Sequence, residues 1–237
     1  MAGMWSFLRF GVNCPATPPI APVVALLAVR NVVEVPLPDA AYVPLNVALG
    51  AVLLELSRRW GLAWHEVGFD RRHLPRAFTV GGAAAFLAAG AMLIGAVTPL
   101  TRGLFDDGRI PAEASGWERL YQTAVRIPLG TVAFEELAFR GVLLAVLSRR
   151  FSVGAAVVVN SALFGLWHIL PTLATARANG IVGIGRVGLV AGSVLVTFVG
   201  GLVFCALRRR GGHLLAPALL HLALNDAGYL LAWWTRS

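Results

Sequence analysis

Residues 120–147 read LYQTAVRIPLGTVAFEELAFRGVLLAVL, an apolar run broken near its middle by Glu135, Glu136 and Arg140. About 20 apolar residues cross the hydrocarbon core of a bilayer, so the run is long enough to span. Glu135 lies roughly 13 residues, about 20 Å of α-helix, from the basic end at Arg149 and Arg150. Each charge at mid-bilayer costs about 2.5–3.5 kcal/mol, and three cost on the order of 8 kcal/mol unless paired or hydrated. Glu136 and Arg140 stand four apart and meet on one helix face, whereas Glu135 is turned about 100° away. One carboxylate is therefore free to be structural while the other stays available.

Composition places the whole chain in the same setting. Of 237 residues, 57% are hydrophobic and 14% charged, with a mean hydropathy of +0.73. A soluble domain is roughly 45–50% apolar and about 25% charged, so a soluble fold is excluded. Seven spans occupy roughly 140 residues and leave no room for a separate globular domain. Residues 1–237 therefore read as a single integral membrane domain: an all-α, polytopic transmembrane helix bundle of about seven to eight helices. The first segment follows a proline-rich start and is interrupted by Arg30 and Asn31. A cleaved signal peptide is the alternative there, although no small-residue cleavage pattern follows. Further segments run over 41–57, 77–98, 120–147, 152–170, 187–207 and 214–234, each bounded by Arg, Pro or Gly.

The formal charge is +8, and all 20 basic residues are arginine. That bias, with the abundance of Ala, Gly, Val and Leu, points to a bacterial cell membrane. The arginines gather at segment ends rather than on one face, which argues for membrane orientation and against a nucleic-acid partner. Arg58, Arg59, Arg71, Arg72 and Arg76 share one side with Arg149–Arg150 and with Arg208–Arg210. The positive-inside rule puts the amino terminus inside and the carboxyl terminus outside. Gly188 and Gly192 form a GxxxG step expected to pack helices. Cys14 and Cys205 are too far apart in sequence to indicate a disulfide framework or a cysteine metal site.

Two more segments bring polarity to comparable depth: Phe164-Gly-Leu-Trp-His168 and His221-Leu-Ala-Leu-Asn225. His168 and His221 lie roughly 24 Å and 16 Å from the nearest inside-facing basic residues and bracket Glu135. The expectation is that Glu135, His168, His221 and Asn225 surround one cavity. Other polar residues have simpler explanations. His65 and His73 sit in the arginine-rich loop, and His65-Glu66 lacks the second histidine of HExxH. His213 caps the last segment, Asp226 points away from Asn225, and Asn160 and Ser161 are expected to bond between helices.

A desolvated carboxylate beside histidine can take a proton from water, and a His–Asn pair can serve an oxyanion. No GxSxG elbow is present, which disfavours a serine nucleophile. Glu135, His168 and His221 are also a permissible zinc ligand set, with zinc as the alternative cofactor. Buried Glu and His would suit a proton-coupled transporter too, but the inverted repeat expected there is missing. A non-catalytic immunity or scaffold membrane protein is a third alternative.

Glu135-Glu136-Leu-Ala-Phe-Arg140 fits EExxxR, Phe164 to His168 fits FxxxH, and His221 to Asn225 fits HxxxN. In that order and spacing, over about 118–230, the chain resembles the type II CAAX-prenyl-endopeptidase-like family, also called the CPBP or ABI intramembrane protease family. The resemblance implies an eight-helix fold and endopeptidase activity on a peptide or membrane-protein substrate within membrane lipid. It further implies that Glu135 acts as general base with help from His168, that His221 and Asn225 support the oxyanion, and that Glu136 and Arg140 hold the site together. Members of the family are described both as metalloproteases and as metal-free glutamate proteases. The reading preferred here is the metal-free one, with no cofactor.

Overall fold

The computed structural model describes residues 18–34 and 38–237; Arg9, Cys14 and Pro15, at the start where the signal-peptide alternative applies, lie outside the described residues. In chain order the helices are α1 (Ala21–Glu34), α2 (Asp39–Arg59), α3 (Trp64–Val67), α4 (Leu74–Val97), α5 (Pro99–Arg102), α6 (116–148), α7 (Val153–Trp167), α8 (Ile169–Ala178), α9 (Gly183–Gly211) and α10 (Leu215–Arg236). Among the described residues, β pairing is limited to one isolated bridge between Phe69 and His213. The fold is a polytopic helical bundle. Five stretches are long and apolar enough to cross a bilayer: Asp39–Arg59, Arg71–Val97, Val153–Ala178, Gly183–Gly211 and Leu215–Arg236. Helix α1 is apolar but shorter, and α6 is long but carries the charged set, so the seven anticipated segments are all helical.

The expected boundaries shift in two places. Residues 171–178 continue as helix α8, because the chain only kinks at His168 and Pro171 falls in the first turn of α8, where its missing N–H leaves no bond unmade. The stretch after α4 likewise holds two short helical turns, Pro99–Arg102 and Gly103–Phe105.

Helix α6 is the axis. Every residue from 134 to 147 is buried, whereas the other long helices turn apolar side chains outward, with Phe86 80% and Ile184 87% exposed. An apolar exterior around a polar centre suits lipid rather than water as the surrounding solvent. Within α6, α turns alternate with wider π turns over Gln122–Val132 and Glu136–Leu143. Pro128 accounts for the first: it has no N–H and its ring crowds the preceding turn, and the Ala133 N–H reaches back five residues to the Pro128 carbonyl.

The polar residues that interrupt the first segment face inward. Arg30 is 2% exposed, donates to the Asn46 side chain of α2 and lies over the Tyr42 and Phe134 rings. Asn31 donates to the Trp167 carbonyl at 2.9 Å. Close helix approach is made at Gly81 and Gly201 and not at the expected GxxxG step. An added Cβ at Gly201 would come within 2.9 Å of Ser161, while Gly188 and Gly192 have open space around them and face outward. Asn160 bonds between helices, to the Phe139 carbonyl at 2.7 Å, and the Ser161 hydroxyl donates to the Val157 carbonyl of its own helix while standing beside Cys205 of α9.

The three arginine-rich regions meet at one end of the bundle. Arg149 donates to both oxygens of Glu66 at 2.9 and 2.8 Å, Arg208 donates to the His65 and Glu66 carbonyls, and Leu214 N–H donates to the Gly68 carbonyl. At the opposite end Arg236 pairs with Asp106 and Gly108 N–H donates to the Asn179 side chain.

An added Cβ at Gly81 would lie 2.5 Å from the Ala216 carbonyl oxygen on α10, whereas Gly82 has nothing within 4 Å. Gly81→Ala is therefore expected to destabilise by about 1–3 kcal/mol, and Gly82→Ala to be neutral or slightly stabilising; thermal melts in detergent compare the two. The Arg149 guanidinium holds the Glu66 carboxyl below the usual carboxylate range. A depressed folded-state value stabilises the fold fully above about pH 4.3 and is lost as pH falls through that depressed value. The stability gap between wild type and Glu66→Gln should accordingly narrow as melts are taken down from pH 7 towards pH 3.

Candidate active site

Glu135, Glu136 and Arg140 sit where α6 passes from an α turn to a π turn, and all three are enclosed: 7%, 1% and 0% exposed. Arg140 Nη1 lies 3.3 Å from Glu136 Oε1, a distance and direction that make the contact Coulombic rather than a well-aimed hydrogen bond. The guanidinium is also held between aromatic rings, 3.8 Å from the Phe164 centroid on α7 and 4.6 Å from that of Phe204 on α9. Cation–π contacts out of water are worth about 2 kcal/mol or more. They offset part of the desolvation that a single carboxylate leaves uncompensated.

His221 of α10 joins the two glutamates. Its Nδ1–H donates to Glu136 Oε1 at 2.7 Å, and its Nε2 lies 3.8 Å from Glu135 Oε2. An ionised carboxylate only accepts, so the bond to Glu136 puts the proton on Nδ1. The ring stacks on Phe204 at 5.0 Å and meets the Phe164 edge at 6.1 Å. Glu135 Oε1 accepts from Trp167 Nε1 at 3.1 Å, and its Oε2 is buried with no hydrogen-bond partner.

Four of the six residues singled out from sequence therefore come together: Glu135, Glu136, Arg140 and His221. His168 is half-buried against Phe164, with ring centroids 4.7 Å apart, and its Nδ1–H donates to the Phe164 carbonyl at 2.8 Å. The two histidines flank the same phenyl ring. Asn225, one turn beyond His221, faces a cavity of about 630 Å³ that is also bordered by Gln122, Arg126 and Tyr229. Glu135, His168 and His221 do not border that cavity, and the Phe164 ring of α7 lies against both histidines.

Sequence reasoning missed Trp167, Phe164 as a cation partner, and Phe204. Trp167 left a signal, since an indole N–H deep in an apolar segment needs an acceptor. Phe204 left none. The conditional zinc set, Glu135, His168 and His221, does not assemble: among the described residues no three His, Cys, Asp or Glu side chains converge as metal ligands. Both histidines already commit Nδ1 elsewhere.

A buried glutamate pair with histidine and arginine thus lies inside a polytopic helical bundle. Residues 117–226 match the family model described as Type II CAAX prenyl endopeptidase Rce1-like, and over that stretch the chain resembles the CAAX protease-like family. That match supports an intramembrane CAAX-type protease in general. No curated protein and no solved structure matches the chain.

Removing Arg140 would leave Glu136 buried without a cation. Arg140→Ala is expected to lower unfolding stability in detergent by about 3–5 kcal/mol, while Glu135→Gln, which leaves that pair intact, changes it little. Equal melting of Arg140→Ala and wild type would assign the structural role elsewhere.

Proposed function

We propose that the chain is an intramembrane endopeptidase in which Glu135 activates water against a peptide carbonyl. The observation that carries this reading is the 3.8 Å approach of Glu135 Oε2 to His221 Nε2, with Glu135 Oε1 fixed by Trp167. A water held between two acceptors at that separation keeps normal hydrogen-bond distances to both, about 2.8 Å. Its proton passes to Glu135 as its oxygen attacks the carbonyl carbon. The water's second proton passes to His221 Nε2, and the tetrahedral oxyanion is stabilised by Asn225 and by that N–H until His221 returns the proton to the departing amine. Glu136, accepting from His221 Nδ1, then stabilises the imidazolium. The C–N bond breaks as Glu135, helped by His168, returns a proton to the leaving nitrogen. Glu136 and Arg140 position the group. The substrate is a peptide or membrane protein reached from surrounding lipid, and the arginine-only composition supports a bacterial cell membrane as the setting.

The test is cleavage of a membrane-peptide library by purified protein. Glu135→Gln is expected to lose about 100- to 10,000-fold in turnover while melting like wild type; undiminished turnover would overturn the assignment.

The mechanism uses no metal, so turnover should survive exhaustive chelation. Added zinc is expected to inhibit by capturing Glu135 and a histidine. Elemental analysis alongside turnover decides the point: stoichiometric zinc whose removal abolishes activity and whose return restores it would reverse the metal-free reading.

A further inference from the structure

The arginine-rich end of the bundle holds a second cavity, of about 260 Å³, between α3, the end of α6, the start of α7 and the end of α9. Arg149, Arg208, Arg209 and Ser148 border it on the polar side, and Val153 and Val157 on the apolar side. Its charge is unbalanced. Glu66 is the one carboxylate in the wall, and Arg149 engages both of its oxygens.

Arg208 is only 9% exposed. Its Nη2 donates to two neutral carbonyls, of His65 and Glu66, at 3.0 and 3.1 Å, and its Nε is buried without an acceptor. Among the described residues no carboxylate lies within 4.0 Å of it to form a salt bridge. Arg209 beside it is exposed and likewise has no ion-pair partner there. A cation taken out of water and met only by neutral dipoles is costly, a cost that a bound anion would offset. The apolar side gives an anion an orientation: Val153 is 48% exposed and Val157, one turn further along α7, is half-buried against the core, so the cavity wall is apolar on that side.

We propose that this cavity binds the phosphate of an anionic lipid, with the headgroup phosphodiester at Arg208 and Arg209 and an acyl chain along Val153 and Val157. Basic recesses between membrane helices on the positively charged side suit such headgroups, each arginine adding about 1 kcal/mol near the surface, which is about fivefold in affinity. The site is remote from Glu135 and independent of the catalytic reading.

Full-length protein in a neutral detergent is titrated with phosphatidylglycerol, with phosphatidylcholine and, separately, with inorganic phosphate, and the melting midpoint is followed as the measure of binding. A saturable rise with phosphatidylglycerol and none with phosphatidylcholine is expected. Arg209→Ala, an exposed position whose lipid-free midpoint is checked first, should weaken the apparent affinity about fivefold. Arg76→Ala, at the same end but outside the cavity, should leave it unchanged. Equal responses to the two lipids, an unaltered Arg209→Ala titration, or an equal loss in Arg76→Ala would overturn the proposal. A full response to inorganic phosphate alone would overturn the lipid assignment.

Discussion

The burial of Arg140 is the constraint on which the rest of the structure depends. A guanidinium with no exposed surface cannot be left to itself in a hydrocarbon-surrounded bundle. It is met by Glu136 on its own helix and by the faces of Phe164 and Phe204 from two others. That set ties α6, α7 and α9 together, and the Glu136–His221 bond adds α10. The same contacts fix the rotamers of the residues beside Glu135. Stability of the bundle centre and placement of the carboxylate are therefore one problem.

Lipid surroundings invert the usual arrangement. Large apolar side chains on α4 and α9 face outward, and polarity collects on the axis around α6. With no hydrophobic gain between helices, close packing does more of the holding, as at Gly81 against Ala216 and Gly201 against Ser161. The wide π turns on either side of Ala133–Glu135 belong to the same economy. They enlarge the turn around Pro128 and deliver two adjacent glutamates to different partners, Glu135 to Trp167 and Glu136 to His221.

The two ends of the bundle differ in chemistry. One is cationic and tied by Arg149 and Arg208 across α3, α6 and α9; the other mixes acidic and basic groups around the larger cavity that Asn225 faces. The site lies between them, lined by the aromatic rings of Phe164, Trp167 and Phe204.

The sequence by itself determined the membrane bundle, because a hydropathy this high and segments of this length leave a helical chain no other way to satisfy its backbone. It also singled out Glu135, Glu136, Arg140 and His221, since charges within apolar runs are too costly to be incidental. Spacing along one helix even paired Glu136 with Arg140. Pairing across helices was another matter. Whether His221 would meet Glu135 or Glu136, that Trp167 would hold the first and that Phe204 would cover Arg140 depend on helix rotation and approach. Those are set by packing at residues such as Gly81 and Gly201, which look no different in sequence from the outward-facing Gly188 and Gly192. Only the tertiary structure decided them, because periodicity fixes which face of a helix a residue occupies but not which neighbour that face meets.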